Sequence, residues 1–446
     1  MTQQFDFTHG NVGKKMAMFA VPILLTNILQ TSYQFIDSLW VGNLLGTEAL
    51  GALSMASPVI FTVLSFIIGV NSSTLTVLSQ KKGESDDQGL KDALNSFVFV
   101  LAILAVSFGV LGIVFAEGLL RLLQTPESVL PMAAVYLRIN FCGILFLFGY
   151  NFINTILRAL GDSRTPIRFV FLAVLLNAIL DPLFIHVFSW GIQGAACATV
   201  LAQGSAFVYG LIHSIIKADV PFSVPRLPGR QYFTVIFKLG TPAGLQMMAI
   251  SAGSAAITSV AALYGTHVLA GFGASQRINN LIMIPATTLG TAVTSMAGQN
   301  IGAGEWGRVN AITKNGLIAI VSVMLGIGAL VFIFSEQLIS WFVGHDETVA
   351  FGSQYLKAVA FFYPFLGINF VLNGAVRASG AMFQVLVLNL ISFWLLRYPL
   401  TYLFAKWMGS EGIAFGIAAS FIISSFFAIG YYVKGGWRSI QIFSKE

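Results

Sequence analysis

The chain has 446 residues, 56% hydrophobic and only 9% charged, with a mean hydropathy of +0.82. Soluble domains carry roughly 25% charged residues, so the composition excludes a soluble module and points to an all-α polytopic membrane protein. The formal net charge of +6 reflects the Lys and Arg that mark cytoplasmic loops, not an affinity for nucleic acid.

Residues 1–15 are polar and end in Lys14-Lys15, which argues for a cytoplasmic N-terminus. Residues 16–41, MAMFAVPILLTNILQTSYQFIDSLWV, hold one charge, Asp37, and one proline, Pro22. At ~1.5 Å per residue this stretch crosses a bilayer with room to tilt. It is too long for a signal-peptide core and lacks a cleavage signal. Pro22 removes a backbone hydrogen bond and crowds the preceding turn, which makes it a candidate hinge. A second span covers about 49–75, a polar cytoplasmic loop 79–92, and a third span 96–115. An acidic outer connection, 117–131, leads to a fourth span at 132–156. The turn RALGDSRTPIR (158–168) returns three arginines to the cytoplasm. A fifth span covers 169–187, Trp190-Gly191 makes an outer turn, and a sixth span ends near Ile216. Residues 217–238, with Pro221, Pro225 and Pro228, read as a cytoplasmic linker between an N-terminal lobe, 1–216, and a C-terminal lobe, 239–446.

The second lobe repeats the first. Pro22 matches Pro242, Gly46-Thr47 matches Gly265-Thr266, Gln80 matches Gln299, and Tyr136 matches Tyr355. Asn154, Arg158 and Gly161 match Asn373, Arg377 and Gly380, and Pro182 matches Pro399, at offsets of 217 to 220 throughout. Spans 7–12 then fall near 239–262, 267–294, 315–334, 352–374, 384–404 and 412–433. Six spans per repeat is even, so both halves enter from the same side. The expectation is twelve transmembrane helices in two parallel six-helix repeats, related by a pseudo-two-fold axis along the membrane normal. Eighteen of the 24 Lys and Arg fall in segments read as cytoplasmic, and both termini are expected there. The two cysteines, Cys142 and Cys197, lie in apolar segments and indicate neither a disulfide nor a metal framework.

Of the 18 Asp and Glu, only Asp37 and Asp181 lie well inside a span. A carboxylate there costs roughly 2.5–3.5 kcal/mol on insertion scales. Asn177, four residues before Asp181, shares its helix face. Thr199 and Tyr136 fall at a similar depth. One reading is a buried hydrogen-bond network that fixes helix packing. The other is a functional acid pair in which burial and like charge favour the protonated form, so that a proton is held and released on hydration. The second half carries no deep acid. It has deep Arg277 and Arg397 instead, read as helix packing against carbonyls or snorkelling. Asn154 and Asn373, being duplicated, read as structural.

The two parallel repeats, the proline-bearing first helix ending DSLWVG, the pair Asn177/Asp181 before Pro182, and the loop RALGDSRTP together resemble the multidrug and toxic compound extrusion (MATE) family, over essentially the whole chain. The placing of both acids in the first half resembles its DinF-like branch. The resemblance implies a V-shaped pair of six-helix bundles. It implies a secondary active multidrug exporter in the plasma (inner) membrane, an antiporter of amphipathic, often cationic drugs by alternating access, with membrane lipid as its surroundings and a monomeric state. Asp37 would be the coupling acid, with Asp181, Asn177, Thr199 and Tyr136 as its network and Pro22 as the bend. The implied driving force is an ion gradient, with no cofactor and no resident metal. Either a proton or a sodium ion at Asp37, Asn177 and Asp181 suits the oxygen ligands. A flippase for lipid-linked saccharides would require more cavity cations. An intramembrane aspartyl protease would require a GxGD-type motif, whereas Asp181 stands in ILDPL.

Overall fold

The computed structural model describes residues 5–223 and 227–443, which are helical with short connections. The first repeat comprises α1 (Val12–Leu45), α2 (Thr47–Gly83), α3 (Asp87–Leu122), α4 (Leu130–Cys142), α5 (Ile144–Ala159), α6 (Thr165–Pro182) and α7 (Ile192–Ile216). The second comprises α8 (Arg230–Ala262), α9 (Thr266–Gly302), α10 (Trp306–Ser340), α11 (Asp346–Ala360), α12 (Tyr363–Ala378), α13 (Met382–Leu390), α14 (Tyr398–Met408) and α15 (Gly412–Lys434). The helices follow in the same order in both halves, except that the counterpart of α6 is divided into α13 and α14.

Among the described residues, nine helices are long and apolar enough to cross a membrane, and eleven spans result if each bent pair, α4–α5 (52°) and α11–α12 (56°), is one crossing. The Met382–Lys434 stretch, 53 residues long, doubles back at Gly409–Glu411. Gly412 and Gly416 then let α15 pack directly on the backbone of Phe404 and Thr401 in α14. Counted as two passes, that stretch brings the apolar spans among the described residues to twelve, the number expected.

The fourth span, read from the sequence as one run over 132–156, is bent by 52°. It breaks at Gly143, where a Cβ would fall 2.5 Å from the Val200 methyls of α7. The repeat-equivalent break falls at Phe361 and Phe362, beside Pro364, which lacks the N–H to continue the helical ladder. Predicted loops also shorten. The 79–92 loop contracts to Glu84–Asp86 because α2 and α3 run on past the apolar stretch. α2, at 37 residues, extends about 55 Å at ~1.5 Å per residue, well beyond a ~30 Å hydrocarbon core. Asp86 caps α3, accepting from the Gly89 N–H at 2.8 Å, and pairs with Lys81 at 2.9 Å.

The chain forms two compact units, whose boundaries differ from those of the expected lobes. One unit takes in Val21–Lys238 with the segment ending at Asp6. The other takes in Phe7–Ala20 with the chain from Leu239 onward. The expected 217–238 linker therefore belongs to the first unit, and its last residues are the opening turns of α8. Each repeat's first helix changes unit shortly before its proline: α1 between Ala20 and Val21, ahead of Pro22, and α8 between Lys238 and Leu239, ahead of Pro242.

Both exchanged segments are held by specific bonds. In the second unit the Phe7 N–H donates to Gln299 Oε1 at 3.3 Å, and the Phe7 carbonyl accepts from Asn300 at 3.1 Å and Arg308 at 2.8 Å. The Phe7 ring is fully buried, edge-on to Phe19 at 4.8 Å. In the first unit the Tyr232 hydroxyl donates to the Gly89 carbonyl at 3.3 Å.

Candidate functional site

The five expected site residues come from four helices of the first unit: Asp37 from α1, Tyr136 from α4, Asn177 and Asp181 from α6, and Thr199 from α7. All are buried, Asn177 and Asp181 completely. α6 presents Asn177 and Asp181 one turn apart, and the Asn177 amide donates to Asp181 Oδ1 at 3.0 Å. Pro182 ends the regular ladder, and the next turn, Leu183–Val187, is π-helical. Such wide turns recur at functional positions because they re-aim neighbouring groups. The Tyr136 hydroxyl approaches Asp37 Oδ2 at 3.4 Å, long for a hydrogen bond. The two carboxylates lie within electrostatic reach of each other and of Tyr136.

Thr199 enters differently from expectation. Its backbone carbonyl, not its hydroxyl, meets a neighbour, accepting from the Tyr33 hydroxyl at 3.4 Å. Tyr33 was not foreseen, nor were Gln30 and Asn27. Gln30 donates to the Tyr150 hydroxyl at 3.0 Å, and Arg158 of α5 donates to Asn27 at 3.5 Å. With Asp37 these residues make a polar stripe along one face of α1, each bonded within the unit. The signal was present in the spacing: 27, 30, 33 and 37 step by three, three and four, which is one helical face.

Four buried oxygens in this cluster have no hydrogen-bond partner: Asp37 Oδ1, Asn177 Oδ1, Asp181 Oδ2 and the Thr199 hydroxyl. Three of them can only accept when the acids are ionised. Unpaired buried acceptors cost of order 1–3 kcal/mol each. Two chemistries fit them. A proton on one carboxyl turns an acceptor into a donor, and a hard monovalent cation would take carboxylate, amide and hydroxyl oxygens together. Asp37, Asp181, Asn177 and Thr199 are the residues that would hold either.

The second unit is differently furnished. Asp37 aligns with buried Ile257, and Asp181 with Tyr398. Tyr355, the mate of Tyr136, shares Asn279 with Tyr363, at 3.4 and 2.8 Å. Arg397 does not snorkel or pack on carbonyls. Its guanidinium lies 3.8 Å from the Phe393 ring centroid and 4.7 Å from that of Phe421, and Nε donates to the Ser420 hydroxyl at 3.2 Å. Arg277 lies 5.7 Å from the Phe342 ring. The Asn154 amide donates to the Tyr150 carbonyl one turn back, a local bond consistent with the structural reading.

A duplicated set of long apolar helices with a buried acid cluster in one copy defines a multi-pass membrane protein built by internal repetition, with polar chemistry concentrated in its first half. The chain belongs to the multidrug and toxic compound extrusion family: the MatE family model matches residues 22–183 and again 242–403. It is a membrane transporter and not an enzyme. It is similar to the probable multidrug resistance protein YpnP of Bacillus subtilis strain 168, 56% identical over 442 residues and covering 99% of both chains. It is also similar to the probable multidrug resistance protein YoeA of the same organism, 30% identical and covering 97% of this chain and 96% of that one. Among solved structures it resembles an outward-facing multidrug resistance MATE family transporter of the MOP superfamily, with a TM-score of 0.92, 21% identity, and 97% and 98% of the two chains covered.

Proposed function

We propose that this transporter is a secondary active multidrug exporter of the plasma membrane, exchanging amphipathic, often cationic drugs for protons by alternating access. The relatives named as multidrug resistance proteins support the drug substrate. The observation that carries the coupling is the first-unit cluster: two buried carboxyls, Asp37 and Asp181, each with one oxygen paired and one unpaired. Two acids buried together in an apolar span favour holding a proton and releasing it when water or a cationic drug arrives. Pro22 supplies a place where α1 can bend as Asp37 changes state.

A second reading is sodium coupling, favoured by the two neutral unpaired oxygens, Asn177 Oδ1 and the Thr199 hydroxyl, beside the carboxylates. Drug efflux from vesicles holding the purified chain separates the two, driven first by a pH gradient alone and then by a sodium gradient alone. Efflux under the pH gradient with none under sodium supports the proton reading. The reverse replaces it.

A further inference from the structure

The first unit holds a second polar site, about 20 Å from Asp181 along the axis of α6 and independent of the coupling chemistry proposed above. A cavity of about 1420 Å³ opens where the last turns of α2 and α7 meet the first turns of α3 and α6. Four cations line it, drawn from three separate segments: Lys82 from α2, Arg164 and Arg168 at the start of α6, and Lys217 just past α7. All four cations are exposed, and three separate segments bring them to one cavity. Three carboxylates also line the cavity. One of them, Asp162, is consumed locally: it accepts from the backbone N–H groups of Arg164 and Thr165 at 3.0 Å and from the Thr165 hydroxyl at 2.5 Å. Asp162 thus fixes the turn that aims Arg164 and Arg168. The other two, Asp87 and Asp219, are exposed on the rim. The wall behind the cations is buried His213, 3.5 Å from the Thr165 hydroxyl.

The cavity is not wholly polar. Leu90 and Leu160 line its floor and are buried. Ile216, directly before Lys217, is 68% exposed, and Ile212 and Ile215 of the same helix are half exposed. An apolar strip along α7 therefore leads up to the cations. A ligand matching both features carries a phosphate at one end and hydrocarbon at the other. Guanidinium groups suit phosphate oxygens through paired N–H bonds, and basic pockets between span ends are where anionic headgroups bind.

We propose that this cavity binds the headgroup of an anionic phospholipid from the leaflet it faces, with phosphate at Lys82, Arg168 and Lys217 and an acyl chain along the α7 strip. Free phosphate shares the head chemistry but has nothing to place on that strip.

The test uses the purified full chain in a neutral detergent. Thermal unfolding and native mass spectrometry are followed with short-chain phosphatidylglycerol, short-chain phosphatidylcholine or inorganic phosphate added. Phosphatidylglycerol is expected to raise the unfolding temperature and remain bound, while phosphatidylcholine does so far less. The variant Lys82→Gln/Arg168→Gln/Lys217→Gln should weaken phosphatidylglycerol binding about tenfold or more. Should that variant misfold, Asp219→Asn tests the same point in the opposite direction, since removing a rim acid should tighten binding. Equal effects of the two lipids, or unchanged phosphatidylglycerol binding in both variants, overturn the proposal. Protection by inorganic phosphate at the same concentration as the lipid overturns the lipid assignment and makes the site one for soluble phosphate.

Discussion

Asp37 and Asp181 come from helices far apart in sequence, yet they share one buried cluster, and this governs what their substitution should do. Asp37→Asn keeps size and hydrogen-bonding capacity but removes titration. It should abolish proton release on drug addition in vesicles while drug binding persists through apolar contacts. Asp181→Asn should be impaired likewise, and the double variant should be little worse than either single one, because the two act as one unit. A purely structural cluster predicts the opposite: less folded protein, with wild-type stoichiometry in what remains. Outside the spans, Asp86 offers a pH-dependent test. The Lys81 ammonium and the Gly89 N–H hold its carboxyl below the usual range. Its stabilisation is therefore full above the unfolded carboxyl value of ~3.9 and is lost as pH falls through the lower, folded value. Asp86→Ala should cost about 1 kcal/mol of stability at neutral pH, a difference from wild type that unfolding curves should show unchanged at pH 5 and shrinking below about pH 4. The acids were legible in the sequence because a charge in an apolar span stands out. Tyr33 and Gln30 share a helix face with Asp37, but uncharged residues inside a span carry a weak signal until their partners, Thr199 and Tyr150, are placed in space.

At the scale of elements, α1 is continuous through Pro22, with the Thr26 hydroxyl donating to the Pro22 carbonyl at 2.8 Å. The Met18 carbonyl, one turn earlier, is the acceptor that proline leaves without its helical donor. Pro22→Ala restores that bond and stiffens the helix two residues beyond the point where it changes unit. Efflux should fall several-fold while expression and unfolding temperature stay near wild type. Unchanged efflux would reduce Pro22 to a packing detail. Spans and their order were readable from apolar runs, because a bilayer imposes a minimum length. The bends at Gly143 and Phe362 were not, since glycine and proline mark where a helix can break without saying that it does. The π-helical turns were hidden as well. They lie after Pro182 in one repeat and before Pro399 in the other, so the repeated proline fixes the neighbourhood and the surrounding packing fixes the side.

For the whole molecule, the repeat was legible because landmarks recur at a nearly constant offset, and the two MatE matches fall on the same two stretches. Sidedness rests on the Lys and Arg distribution. In a cysteine-free background, cysteines placed at Ser223 and Ser128 should react with impermeant reagents from opposite faces of the membrane, Ser128 from outside intact cells. Labelling of both from outside would refute the map. The exchange of helix openings between units was invisible in the sequence, because nothing in residues 7–20 names a partner nearly 300 positions downstream. Its consequence concerns biosynthesis. Phe7 is bonded to Gln299, 292 residues away, so the ribosome finishes residues 7–20 long before their seat exists. At roughly 5–20 residues per second, residues 7–20 wait on the order of 15–60 seconds, and a segment made early is among the last to settle.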